Sequence, residues 1–138
     1  MRFSEYLRAT HAGSWEGILG HPFVRGLGLG TLPVERFRHY LGQDYVYLVG
    51  YGRVLALAVA KAPDLATMGR LAGVLEATLN GEMDLHRTYS AGFGISPADL
   101  EAVLPSPTTS AYVDWLLATA YAGDLADILF AILPCAYG

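Results

Sequence analysis

Residues Thr31–Asp64, "TLPVERFRHYLGQDYVYLVGYGRVLALAVAKAPD", decide the fold. Thr31 followed by Pro33 marks a helix start. The proline falls in the first turn, and Glu35 sits near the positive end of the helix dipole. A long helix is expected to run to about Ala62, where Ala62-Pro63-Asp64 ends it, because the residue before a proline is pushed out of the α region. Along this helix Tyr40, Asp44, Tyr47 and Tyr51 recur at i, i+4, i+7 and i+11, which aligns them on one stripe. Phenols both stack flat rings and exchange hydrogen bonds. A carboxylate among them can accept two hydrogen bonds from an amidine-like edge such as that of an aminopyrimidine. The same stripe also suits a helix–helix contact in which tyrosines satisfy a half-buried aspartate, and spacing leaves both readings open.

The flanking segments are also helical in pattern. Phe3–Leu19 carries Phe3, Leu7, Trp15, Ile18 and Leu19 on one broad face. Gly20-His21-Pro22 and the glycines at 26, 28 and 30 read as a breaker region. A third helix is expected from Asp64 to about Ala91, closed by Gly92-Phe93-Gly94. Ser96 caps a short one, and Thr108 or Thr109 opens another to about Ala122 after Pro105-Ser106-Pro107. A last helix starts at Leu125. No strand pattern or repeat is visible, so the expectation is one all-α domain over 1–138, with long antiparallel helices in a bundle-like layout.

Composition narrows the function. Of the 138 residues 53% are hydrophobic and only 16% charged, which excludes global disorder and predicts extensive burial. The net charge is −4 and the nine basic residues are scattered, so no basic stripe exists for nucleic acid. One cysteine cannot form an internal disulfide. The first residues lack an apolar signal core. The apolar runs Val54–Ala60 and Ile128–Gly138 fall short of the about 20 residues of a membrane helix. The expectation is a cytoplasmic protein with no membrane partner.

Cys135 follows Pro134, whose missing N–H should loosen the helix beside the thiol. Free cysteine also serves as a small buried hydrophobe, and sequence alone does not show activation. Glu82 and His86, at i and i+4, match a metal-ligand spacing, yet a carboxylate-bridged metal bundle needs further ligands on other helices. The alternative is a structural pair with Glu82 accepting from His86. Glycines 26, 28 and 30 form no dinucleotide loop, lacking both a preceding strand and a GxGxxG pattern. His11, His21 and His39 read as structural.

Three stretches, "HPFVRGLGLGTLPVERFRHYLGQDYVYL", "GEMDLHRTYSAGFGIS" and "PSPTTSAYVDWLLATAYAGDLADILFAILPCAYG", together resemble the TenA (thiaminase II, aminopyrimidine aminohydrolase) family. His-Pro-Phe, Thr-Leu-Pro, Gln-Asp-Tyr and Leu-Pro-Cys match in order and spacing. The resemblance implies a haem-oxygenase-like helical bundle, here truncated at its C-terminus, and a homotetramer. It implies hydrolysis of 4-amino-5-aminomethyl-2-methylpyrimidine, or cleavage of thiamine, in thiamine salvage, with no metal or organic cofactor. It also brings a transcriptional-activator label, to which the acidic charge lends no DNA-binding support.

The family's nucleophile falls on Cys135, its pyrimidine-anchoring aspartate on Asp44, and pocket tyrosines on Tyr47 and Tyr112. Its leaving-group glutamate and a further tyrosine lie beyond the position of Gly138. Losing a general acid removes a rate factor of about 10²–10⁴, so the chain reads as a hydrolase if the missing helices complete it. Two other readings remain. One is a metal-binding helical oxidase using Glu82 and His86. The other is a non-catalytic pyrimidine-binding or regulatory protein.

Overall fold

The computed structural model of the protein describes residues 2–137. Every regular element among them is helical, as the sequence predicts. The chain gathers into two compact units, Met1–Phe37 and Arg38–Gly138.

The first unit holds α1 (Phe3–Thr10), α2 (Ala12–Leu19), α3 (Pro22–Gly28) and the first residues of α4 (Val34–Ala60). The single helix expected over Phe3–Leu19 is interrupted at His11, with φ −111° and ψ 29°. Just before the break the Thr10 hydroxyl donates to the Tyr6 carbonyl at 2.9 Å. The expected breaker region holds α3. Pro22 occupies its first turn, and His21 Nδ1 accepts from the Phe23 N–H at 3.2 Å. That proline starts a helix, because the N–H it lacks is one that no helix interior needs.

The second unit takes the rest of α4, which at 27 residues is about 40 Å long. After it come α5 (Leu65–Glu76), a π-helical turn (Ala77–Glu82), α6 (Met83–Ala91), α7 (Pro97–Glu101), α8 (Pro107–Ala122) and α9 (Leu125–Tyr137). Starts are capped as the residue types dictate. Asp64 accepts from Thr67 N–H at 2.7 Å, and Ser96 with Asp99 closes a reciprocal capping box over α7. Helix α8 opens at Pro107, just before the expected Thr108 or Thr109, and Ser106 caps it through Thr109 N–H at 3.2 Å.

The helix expected over Asp64–Ala91 exists as a path, but the π turn divides it. Asn80 and Gly81, weak helix formers, lie in that turn. A π turn carries extra residues per turn and so re-aims the helix beyond it, here the face bearing His86.

The core joins α4, α8 and α9 through Val54, Leu55, Leu116, Ala120, Ile128 and Ile132. Two glycines let α4 meet its neighbours closely. A Cβ on Gly50 would stand 2.6 Å from Val113 Cγ1, and one on Gly42 would stand 3.1 Å from Val103 Cγ2. Gln43 adds a clamp: its amide N–H donates to the Leu104 carbonyl at 3.0 Å, and its Oε1 accepts from Ser106 N–H at 2.8 Å. Together these contacts seat the start of α8 along α4. No helix among the described residues is long and apolar enough to cross a membrane.

Candidate active site

The α4 stripe faces α6, α8 and α9, all within the second unit. Tyr47 stacks on Tyr51 of its own helix, with centroids 5.8 Å apart and planes 22° apart. Its other neighbour is Tyr112 of α8, at 5.6 Å and 3°. Tyr112 in turn stacks on Trp115 at 6.4 Å and 12°. The result is a run of four near-parallel rings. Sequence reasoning reached Tyr47, Tyr51 and Tyr112 but not Trp115, although its i, i+3 spacing from Tyr112 was a usable signal.

Cys135 stands at this wall. Four tyrosine hydroxyls, those of Tyr40, Tyr47, Tyr51 and Tyr112, have pKa values pushed above the ordinary phenol value. Burial is the first cause in each, and the negative charge that Cys135 can carry adds to it. These phenols therefore stay protonated at neutral pH and act as donors. The thiol itself is exposed, not a core residue. Helix α9 continues through Pro134.

Asp44 lies one helical turn before the stacked rings. Burial, the largest cause, raises its carboxyl pKa; His86 opposes that rise and Glu82 adds to it. Tyr40 begins the stripe, and its hydroxyl is raised by burial first and then by the charges of Asp44 and Cys135. His86 is drawn across to α4, with Nε2 3.3 Å from Asp44 Oδ2. On its own helix the Ser90 hydroxyl stands 3.4 Å from Nδ1. The contact with Asp44 takes the place of the Glu82–His86 pair expected from i, i+4 spacing; Glu82 bears on Asp44 as well. Among the described residues no group of three or more His, Cys, Asp or Glu converges to hold a metal ion.

Two buried polar atoms in this region lack an aligned hydrogen-bond partner: Tyr47 Oη and His86 Nε2. The Nε2–Asp44 approach is close but off the hydrogen-bonding direction, and the thiol near Tyr47 does not satisfy its hydroxyl either. A buried unsatisfied group costs about 1–3 kcal/mol, so two on one wall point to a surface built to meet a ligand. A separate cavity of about 320 Å³ on another face of α4 is lined by Tyr45, Val49, Arg53, Glu101 and Asp114 among others. It includes neither Cys135 nor Asp44 and is not the candidate.

Behind the wall, Tyr45 is buried. Its hydroxyl donates to Glu101 and accepts from Arg87 at 3.0 Å, while Arg87 also reaches Asp84 at 3.1 Å. This network ties α4 to α6 and α7 and backs His86, whose ring centroid lies 5.8 Å from that of Tyr45.

The sequence profile of the TENA/THI-4/PQQC family matches residues 8–138. The chain belongs to this family. It is 44% identical over 99% of its length to an aminopyrimidine aminohydrolase of Halalkalibacterium halodurans, covering 61% of that protein. It is 42% identical over 98% of its length to one of Bacillus subtilis, covering 57%. A TenA homologue from P. horikoshii OT3 superposes with a TM-score of 0.94 at 34% identity, over 99% of this chain and 64% of that one. A TenA family transcription regulator from Silicibacter sp. TM1040 superposes with a TM-score of 0.89 at 40% identity, over 95% and 58%. This TENA/THI-4/PQQC-family chain thus spans about three fifths of the length of the curated relatives it matches.

Proposed function

We propose that Cys135, Asp44, Tyr47 and Tyr112 form part of the site of an aminopyrimidine aminohydrolase acting in thiamine salvage. The observation that supports this reading is the convergence of an exposed thiol, a half-buried carboxylate and stacked, protonated phenols on one wall. Asp44 accepts hydrogen bonds from the ring nitrogen and amino group of a 4-aminopyrimidine. Tyr47 and Tyr112 stack on the flat ring and position water. The Cys135 thiolate adds to the electron-poor ring; the adduct expels the amine, or the thiazole of thiamine, from the exocyclic methylene. Water then adds at that carbon, and the thiolate leaves. None of these steps requires a metal or an organic cofactor. An acid for the departing amine comes from the chain length that the relatives have beyond this match, or from another subunit of a homotetramer. The two compact units belong, on this reading, to one catalytic domain in the cytoplasm.

The test is ammonia release from 4-amino-5-aminomethyl-2-methylpyrimidine. Cys135→Ser is expected to abolish it, and Asp44→Ala to weaken mainly pyrimidine binding. Wild-type turnover by Cys135→Ser would falsify the covalent step. A second reading, pyrimidine binding without turnover, is supported by the Asp44 carboxylate and the stacked phenols, which hold a flat ring without using the thiol. Saturable pyrimidine binding with no ammonia released would establish it.

A further inference from the structure

His86 has no part in the reaction proposed for this wall, yet it is the polar group set most deeply against Asp44. Its side chain is only 8% exposed, against 29% for Asp44. Its Nε2 is 3.3 Å from Asp44 Oδ2, a charge contact out of line for a hydrogen bond, and it has no hydrogen-bond partner. On the other side of the ring, Ser90 is fully buried, with its hydroxyl 3.4 Å from Nδ1. A serine hydroxyl donating to Nδ1 leaves the imidazole proton on Nε2, the nitrogen that faces Asp44. The Tyr45 ring, itself locked by Glu101 and Arg87, limits how far the imidazole can turn.

We propose that His86, held in one tautomer by Ser90, is a positioning residue that turns the Asp44 carboxylate toward the ligand and keeps it an acceptor. This rests on Asp44 being the pyrimidine anchor. An imidazole N–H held 3.3 Å from one carboxylate oxygen attracts that oxygen and, with a small turn of the carboxylate, donates to it, which leaves the other oxygen for the ligand. Without that backing, burial and the charge of Glu82 both favour the protonated carboxyl, which offers one fewer acceptor to an aminopyrimidine edge. The other titratable groups that bear on Asp44 or share its wall are Tyr40 and Tyr47 on α4 and Cys135 on α9.

The experiment tracks the Asp44 carboxyl by ¹³C NMR titration in the ligand-free chain, beside the affinity for 4-amino-2-methylpyrimidine at neutral pH. In His86→Ala, and in His86→Phe, which preserves ring volume should the alanine variant fail to fold, the Asp44 midpoint is expected to rise by about one pH unit. Pyrimidine affinity is expected to fall about tenfold or more. His86→Gln places an amide N–H near the Nε2 position and should restore most of both. Ser90→Ala should shift the midpoint in the same direction by less. An unchanged Asp44 midpoint in the alanine or phenylalanine variant overturns the proposal, and a loss of thermal stability alone would mark His86 as packing. If the wild-type chain binds no aminopyrimidine, the proposed function fails, while the carboxyl titration still decides the role of His86.

Discussion

Gly50→Ala tests the closeness of α4 and α8, on which the aromatic wall depends. The added methyl would meet Val113 Cγ1 at 2.6 Å and Cγ2 at 3.2 Å. Both branches are too near, so no single χ1 turn of a stiff valine relieves the clash. Alanine in place of glycine in a helix interior gains about 1 kcal/mol in propensity. Overpacking a well-filled contact costs about 1–3 kcal/mol. The clash therefore outweighs the gain, by about 1 kcal/mol in mid-range, and lowers Tm by roughly 4 °C. Gly73→Ala on α5 is the control, because a Cβ there meets nothing within 4 Å. It has the propensity gain without the clash and should raise Tm by a few degrees. The two variants share the backbone term, so their difference, about 2 kcal/mol, isolates the helix contact. Thermal and urea melts measure it, and Gly50→Ala in a Val113→Ala background should recover most of the loss. If Gly50→Ala stabilises the chain as much as Gly73→Ala does, the reasoning about α4 and α8 is refuted.

Three further outcomes are expected. Gln43→Ala removes both bonds to the start of α8 and leaves Ser106 N–H without that partner, at a loss of about 2 kcal/mol in a urea melt. Near-ultraviolet circular dichroism should show the Tyr112–Trp115 stack loosened with it. Tyr47→Phe deletes a buried hydroxyl that has no aligned partner, so thermal stability should hold or rise while pyrimidine affinity falls; a large drop in Tm would contradict that. Finally, hydrogen bonds at helix N-termini hold Asp64 and Asp99 below the ordinary carboxylate range. Their contribution is fully present above the unfolded pKa near 4 and is lost as pH falls through the lower folded values. Asp44, raised by burial, works in the opposite direction. Asp64→Asn and Asp99→Asn should therefore flatten the acid limb of a stability–pH curve, and an unaltered limb would rule the caps out as its source.

The sequence by itself determined the helical class, most helix starts and the stripe on α4. All of these depend on neighbours within about one turn: a proline in the first turn, a serine or aspartate cap, a phenol every third or fourth residue. Local reasoning erred where two short-range signals competed. At His11 the backbone leaves the helical region within an otherwise good amphipathic pattern, and at His21-Pro22 a cap turns a breaker into a start. Sequence resemblance singled out Cys135, Asp44, Tyr47 and Tyr112 as site candidates. Only the tertiary structure decided which side chains actually meet. Glu82 and His86 share a helical spacing, but His86 meets Asp44, a residue 42 positions earlier in the chain. The closeness that stacks Tyr112 on Tyr47 depends on Gly50 having no Cβ and on Gln43 clamping a loop more than 60 residues away. Contacts at such separations carry no periodic trace in the sequence, because they are set by how two helices pack and not by how either one forms.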